Sequence, residues 1–249
     1  MDSPPEKIVC LVPSITELLF ELHLDQQIAG RTKYCILPSD KITDVPVIGG
    51  TKYVDLNAIK SINPDLIIAN KEENTKDIVV ALRKSYRVYV SDVSSQTEAL
   101  EMINDVATLC NCEQKGKELV KEIDLSFKFI KSLINPVRVC YFIWRKPYMV
   151  AAKDTYINSM LELAGFENCF DYLNRYPEIE LKDLMTINPD HIFLSSEPFP
   201  FSMKHFKEFQ EVCPNATITI VDGQMFSWYG SRLKKFSKYI NDLYSLLKI

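Results

Sequence analysis

The residues best suited to chemistry in this sequence stand just after apolar runs of strand type. Ser14 follows Ile8–Val12, and Arg31, Thr32, Lys33 and Tyr34 follow Gln27–Gly30. Asn70, Lys71, Glu72, Glu73 and Asn74 follow Leu66–Ala69. In the second half, Trp144, Arg145, Lys146, Pro147 and Tyr148 follow Val137–Ile143, and Ser195, Ser196, Glu197, Pro198 and Phe199 follow Ile192–Leu194. The last run, Thr217–Val221, leads into Asp222, Gly223, Met225, Phe226, Ser227, Trp228 and Tyr229. In parallel α/β sheets ligands bind beyond the carboxyl ends of the strands. Aromatic faces and cationic groups at such ends suit a flat or bulky, partly anionic ligand. The pattern describes capture rather than bond-making. No G-x-S-x-G elbow and no Cys/His nucleophile pair is present, so no catalytic residue is assigned. His23, His191 and His205 lie on different segments with no H-E-x-x-H, so no metal ligand is assigned either.

Several of these residues also have plainer readings. Ser14-Ile15-Thr16-Glu17 has the spacing of a helix capping box. Glu72 and Glu197 read equally as solvated loop acids, Trp144 and Trp228 as core, and Arg232 as a loop anchor. Were the chain to act chemically on its ligand, Glu72, Glu73 and Glu197 are the acid–base candidates.

Composition narrows the classes. Lys plus Arg number 29 against 33 Asp plus Glu, a net charge of −4. That excludes a nucleic-acid binder held by bulk charge, which needs a basic face. Only 7 glycines occur in 249 residues, and neither G-x-G-x-x-G nor G-x-x-x-x-G-K-[ST] is present. Apolar runs stop after a few residues, far short of the ~20 that span a bilayer, so no membrane insertion is expected. The seven cysteines, at 10, 35, 110, 112, 140, 169 and 213, are odd in number and contain no C-x-x-C. Unpaired thiols fit a reducing compartment, and Met1–Lys7 lacks the basic-then-apolar pattern of a leader. A cytoplasmic location is the expectation, with the periplasm as the alternative if a leader has been removed.

The elements that must position these residues show a repeat. Leu56–Glu72 and Leu181–Glu197 are offset by 125 residues and share Ile-Asn-Pro-Asp at 62–65 and 187–190. In both, a short helix should end before the proline and a buried strand should follow. Further strands are expected at Arg87–Val90, and helices at Ser14–His23, Asp77–Lys84, Thr97–Leu109, Thr155–Ala164, Met203–Val212 and Ser231–Leu247. Alternating strands and helices imply parallel sheets covered on both faces. From Glu113 to Ile134, apolar residues at 119, 123, 127, 130 and 134 predict one amphipathic helix, about 33 Å long at 1.5 Å per residue. The expected layout is an α/β lobe over 1–112, a connecting helix over 113–135, and a second α/β lobe over 136–249.

Taken together, these segments resemble a known family. IVCLVPSITELLFEL near the start, D-L-x-x-I-x-x-I-N-P-D-L-I-I-A at 55–69, DTYINSMLELAGFEN at 154–168, the second I-N-P-D and MFSWYGSRL at 225–233 are similar to the helical-backbone periplasmic substrate-binding proteins. These serve vitamin B12, iron–siderophore and haem importers. The resemblance implies two Rossmann-like lobes joined by one long helix, with only small closure on ligand. It implies a ligand held between the lobes by Tyr34, Lys52, Tyr53, Trp144, Arg145, Phe199, Phe226, Trp228 and Tyr229, to which the strand-end reading adds Ser14 and Glu197. The implied function is binding of a metal chelate, a corrinoid or ferric siderophore, linked to ABC-type uptake, by a monomer with no covalent cofactor. Family members that dock on a permease carry a glutamate near the start of a short helix on each lobe. Asn57 and Lys182 stand at the matching positions, with Asp55 and Glu180 two residues earlier. The alternative is a cytoplasmic corrinoid-handling protein or enzyme that reuses the fold without a transporter.

Overall fold

A computed structural model describes residues 3–249. Contacts divide the chain into two compact units. One contains the described residues up to Val93, Thr97–Leu125 and Tyr229–Lys234. The other contains Ser94–Gln96, Ser126–Trp228 and Lys235–Ile249.

The first unit runs β1 (Ile8–Cys10), α1 (Pro13–Glu21), β2 (Ile28–Arg31), α2 (Leu56–Ile62), β3 (Leu66–Asn70), α3 (Lys76–Arg83), β4 (Val88–Ser91) and all but the end residues of α4 (Gln96–Leu109) and α5 (Glu113–Phe127). Its four strands are all parallel, in the order β2-β1-β3-β4. Every residue of β1 and β3 is buried, as expected of central strands covered on both faces. Val9, Leu11, Ile67 and Ala69 pack with Ile59, Val79 and Leu82 of α2 and α3.

The second unit runs β5 (Val137–Trp144), β6 (Tyr148–Val150), α6 (Tyr156–Leu163), β7 (Phe166–Asn168), β8 (Glu178–Ile179), α7 (Asp183–Ile187), β9 (His191–Ser195), α8 (Phe206–Val212), β10 (Thr217–Val221), α9 (Gly223–Ser227) and α10 (Phe236–Leu247). Its sheet order is β10-β9-β5-β6-β8, with β7 pairing the first residues of β5. The sheet is parallel except at β6 and β8, which run antiparallel to their neighbours. These two short strands are the departure from the expected parallel pairing. The hairpin turn at Lys146 and Pro147 and the two-residue β8 are too short to show as apolar runs. One face of β5 and β9 carries Cys140, Phe142, Ile192 and Leu194 into a core with Phe170, Phe201 and Phe209.

The Ile-Asn-Pro-Asp repeat performs the same task in both units. Asn63 and Asn188 end α2 and α7 in the left-handed region, at φ 49° and 46°, which asparagine tolerates. Proline then stops the helix. Asp65 accepts the N–H groups of Glu6 and Lys7 at 2.8 and 2.9 Å and donates its own N–H to the Lys7 carbonyl. Asp190 accepts the Arg138 N–H at 2.9 Å and donates to the Arg138 carbonyl. A cation completes each copy at the negative end of the helix. Lys7 Nζ reaches the Ile62 carbonyl, and the Arg138 guanidinium reaches those of Ile187 and Asn188.

Two local expectations are corrected. The predicted helix over 113–134 ends at Phe127, as α5. Phe129 and Ile130 instead donate to carbonyls three residues back, and Asn241 of α10 pins the segment through the Lys131 N–H and the Phe129 carbonyl. Tertiary hydrogen bonds override the apolar periodicity. The capping box at Ser14–Glu17 does not form. Pro13 opens α1 after Val12, Thr16 Oγ1 donates back to the Val12 carbonyl at 2.9 Å, and Glu17 pairs with Arg232.

Candidate functional site

In the first unit the strand-end loops are sewn together by buried amides. Asn70, the last residue of β3, donates from Nδ2 to the Ser91 carbonyl and Oγ, while its Oδ1 accepts the N–H groups of Glu72 and Glu73. Asn74 accepts the Asn70 N–H and donates to the Thr51 carbonyl at 2.9 Å. Lys52 Nζ donates to the Glu72 carbonyl at 2.6 Å. The Gly49–Val54 turn is closed by the Gly50 N–H on the Tyr53 carbonyl. At Gly49, φ is +130° and a Cβ would lie 2.5 Å from the Tyr53 carbonyl oxygen, so only glycine fits.

On this scaffold Tyr34 and Tyr53 stand out to solvent, Tyr53 at 73% exposure. Lys33 Nζ sits 5.1 Å from the Tyr34 ring centre, within cation–π range. Ser14 and Tyr229 are buried. The structure therefore brings Tyr34, Lys52 and Tyr53 to the surface of this unit and withdraws Ser14 and Tyr229 from it. Arg232, just past Tyr229, forms a bidentate pair with Glu17 of α1 at 3.0 Å for each bond. It anchors a loop, as one of its two sequence readings states. Arg31, at the end of β2, donates to the carbonyls of Ile42, Val45 and Cys35 in its own loop.

In the second unit Trp144 ends β5 and is 39% exposed. Its ring packs edge-on against Phe199, 5.8 Å between centres, and Phe199 packs in turn on Phe201 and His205. His205 is fixed by accepting the Ser202 N–H on Nδ1. The result is an aromatic ledge with one accessible indole. Arg145 beside it is held by Glu208 of α8 through three contacts of 2.9–3.1 Å. That pairing draws Glu208 below and Arg145 above their ordinary ranges. Arg145 is thus already matched to a carboxylate of its own unit. Nothing in local sequence reports Glu208, which lies 63 residues away.

Glu197 lies inside the loop after β9. Oε1 accepts Ser227 Oγ at 3.0 Å and Trp228 Nε1 at 2.8 Å. Burial raises its pKa, and the Ser227, Trp228 and Gln224 hydrogen bonds oppose the shift. Gly223 permits this packing: a Cβ there would lie 2.4 Å from Ser195 Oγ and 2.6 Å from Glu197 Cγ. Trp228 is 8% exposed and Phe226 is fully buried. The Phe226 ring sits among Tyr141, Phe193, Phe236 and Tyr239. Phe226 and Trp228, both expected to face a ligand, are thus buried side chains. The short α9 turns Phe226 into the core and Trp228 onto Glu197. Asn57 and Lys182 are exposed, Asp55 caps α2 through the Asn57 and Ala58 N–H groups, and Glu180 pairs with Lys182 Nζ.

Among the described residues, no group of three or more His, Cys, Asp or Glu side chains stands close enough to hold a metal ion. No described helix is long and apolar enough to cross a membrane.

Comparison with known proteins gives consistent results. The chain is 26% identical over 199 residues to an uncharacterized ABC transporter substrate-binding lipoprotein of Bacillus subtilis (strain 168), covering 76% of this chain and 63% of that protein. It is 22% identical to the vitamin B12-binding protein of Vibrio cholerae serotype O1, over 77% of this chain and 71% of that one. It is 26% identical to a high-affinity heme uptake system protein of Staphylococcus aureus, over 81% and 72%. Among solved structures, the periplasmic vitamin B12 binding protein of Vibrio cholerae superposes with a TM-score of 0.81 at 18% identity, over 99% of both chains. The apo periplasmic heme-binding protein of Roseiflexus sp. RS-1 does so at 0.82 and 19%, over 99% and 98%. At these identities the superpositions establish the two-unit α/β fold. A family model described as periplasmic binding protein matches residues 8–212, and the chain belongs to that family of substrate-binding proteins, which are not enzymes.

Proposed function

We propose that this protein binds a metal chelate, a corrinoid or an iron chelate such as a siderophore or haem, and delivers it to ABC-type uptake. The observation that carries the reading is the ledge of Trp144 on Phe199 at the end of β5. It presents an accessible aromatic face on a rigid strand. Tyr34 and Tyr53, flanked by Lys33 and Lys52, supply a second aromatic and cationic patch in the other unit. Macrocycles and catecholates offer flat faces to such rings and anionic groups to such cations. With no metal-ligand cluster among the described residues, the cargo metal brings its own chelator. The names of the Vibrio cholerae and Staphylococcus aureus relatives support this ligand class. Docking on a permease would use Asp55 and Glu180, the acids beside Asn57 and Lys182.

Titration with cyanocobalamin, hemin and a ferric catecholate siderophore, followed by tryptophan fluorescence, tests the proposal. One of the three should quench emission saturably. Trp144→Phe should weaken that ligand about two- to tenfold, the worth of an aromatic contact at ~0.5–1.5 kcal/mol. Absence of quenching by all three at tens of micromolar ligand would sink the reading. Unchanged affinity in Trp144→Phe would remove the ledge from it.

The seven free thiols favour a second reading of compartment, in which the protein handles its chelate in a reducing, cytoplasmic setting. Alkylation of freshly isolated protein separates the two: seven reactive thiols after denaturation support it, and extensive oxidation refutes it.

A further inference from the structure

Three of the seven cysteines converge on one core. Cys140 of β5, Cys213 after α8 and the half-buried Cys169 after β7 all pack in the hydrophobic cluster on one face of the second sheet. The pairing of β5 with β7 sets their geometry. Val137, Arg138 and Val139 stand opposite Phe166, Glu167 and Asn168 in parallel register, and Cys140 and Cys169 are the next residues along the two segments. The last bond of that ladder, from the Cys169 N–H to the Val139 carbonyl at 2.9 Å, holds Cys169 against β5 one residue past the end of β7. Opposed residues of paired parallel strands share a face and lie about 5 Å apart, inside the ~4.4–6.8 Å window that a disulfide needs between Cα atoms.

The two thiols are not equivalent. Cys140 is fully buried, and its thiol is pushed up by burial. Cys169 is partly exposed, and its pKa is lowered, first by the hydrogen bond from Cys140 and also by the nearby Arg138 guanidinium. Cys213 is engaged elsewhere, its Sγ on the Leu184 carbonyl at 3.3 Å. Cys112, also partly exposed, is pushed up by burial.

We propose that Cys140 and Cys169 form a peroxide-responsive dithiol, with Cys169 as the attacking sulfur and Cys140 as the resolving one. The Cys169 thiolate attacks a hydroperoxide, the O–O bond breaks, and Cys169 sulfenic acid forms as hydroxide or alkoxide leaves and takes up, as water or an alcohol, the proton that the Cys169 thiol had released. The Cys140 sulfur then attacks the sulfenyl sulfur, the S–O bond breaks, its own proton leaves with the hydroxide as water, and the disulfide forms. Two thiols are oxidised by two electrons in all and one peroxide is reduced. The bond would tie the start of β5 to β7 in the strand that carries Trp144.

The test uses the whole protein, reduced and then exposed to limiting hydrogen peroxide, alkylated and mapped by peptide mass. The Cys140–Cys169 cross-linked peptide should appear first, lighter by two hydrogens and restored by dithiothreitol. Before oxidation, Cys169 should alkylate on the order of tenfold faster than Cys112, as thiolate character dictates. Cys140→Ser should accumulate a dimedone adduct on Cys169, and Cys213→Ser should leave the cross-link intact. The proposal falls if Cys140 links to Cys213, if Cys169 reacts no faster than Cys112, or if Cys169 passes to sulfinic acid in the wild-type protein without cross-linking. The wild-type map decides these points even if a serine variant fails to fold.

Discussion

The pair of Arg232 and Glu17 offers a stringent test of what the MFSWYGSRL segment is for. Two bonds of 3.0 Å join the guanidinium to the carboxylate, and the side chains are only 9% and 14% exposed. They hold Tyr229–Lys234 to α1 within the first unit. Arg232→Met keeps most of the alkyl volume and leaves the Glu17 carboxylate buried without that cation. Removing one partner of a buried pair costs about 3–5 kcal/mol, whereas an exposed pair is worth about 0–1. With a urea m-value near 2 kcal/mol/M, the unfolding midpoint of the unit should drop by about 1.5–2.5 M. The double variant Glu17→Leu with Arg232→Met removes the stranded charge and should recover most of the loss. Urea unfolding followed by near-UV circular dichroism reads both. A loss below about 1 kcal/mol in Arg232→Met would show the pair to be effectively solvated. A double variant no better than the single would show that packing, not charge, dominates.

Other perturbations address the second unit. Glu197→Gln should raise stability at neutral pH, because burial raises the carboxyl's pKa in the folded state while Gln keeps an acceptor for Trp228. The folded wild type binds the proton more tightly than the unfolded chain, so ionised Glu197 costs stability above its folded pKa. That cost fades as pH falls to the unfolded value near 4.3; a pH-independent difference in denaturation midpoints would contradict the assignment. Gly223→Ala should cost about 1–3 kcal/mol through overpacking against Ser195 and Glu197, and should shift the emission of Trp228. Unaltered emission and stability would mean that the loop yields freely. Asp65→Ala removes two charge-assisted bonds from backbone N–H groups and Asp190→Ala removes one. At about 1.5–3 kcal/mol each, before discounting for their exposure, Asp65→Ala should be the more destabilising, and chelate affinity should stay level in both.

What sequence could report follows the range of the interactions. The repeat, the buried strands and most helices were legible because they depend on local order: apolar runs, a proline stop, an asparagine cap. Residues 128–134 carry a helical periodicity that Asn241, over a hundred residues away, overrules. Trp144 at the end of β5 stays exposed, but Trp228 and Phe226, equally aromatic and equally near a strand end, are turned inward. Only the Gly223 contact with Ser195 and the Glu197 carboxylate explain why. Arg145 stands at a strand end as a cation suited to an anionic ligand, yet Glu208 on α8 already engages it. Residue type at a strand end therefore nominates contacts, and the long-range partner decides which remain open to a ligand.

The repeat itself sharpens that distinction. Asn70 and Ser195 occupy equivalent positions, 125 residues apart, and each side chain accepts the N–H of the residue two further on, Glu72 or Glu197. The two units thus share a turn as well as a helix and a strand. Beyond the backbone they diverge. In the first unit the Glu72 carbonyl receives Lys52, so a lysine is drawn to the surface beside Tyr53. In the second, the carboxylate of the half-buried Glu197 receives Ser227 and Trp228, so an acid and an indole satisfy each other. The same turn exposes a cation in one copy and engages an acid in the other. With Glu197 engaged by Ser227 and Trp228 and Glu208 by Arg145, two acids of the second unit are already matched, which suits an aromatic ligand bearing negative charge better than a cationic one.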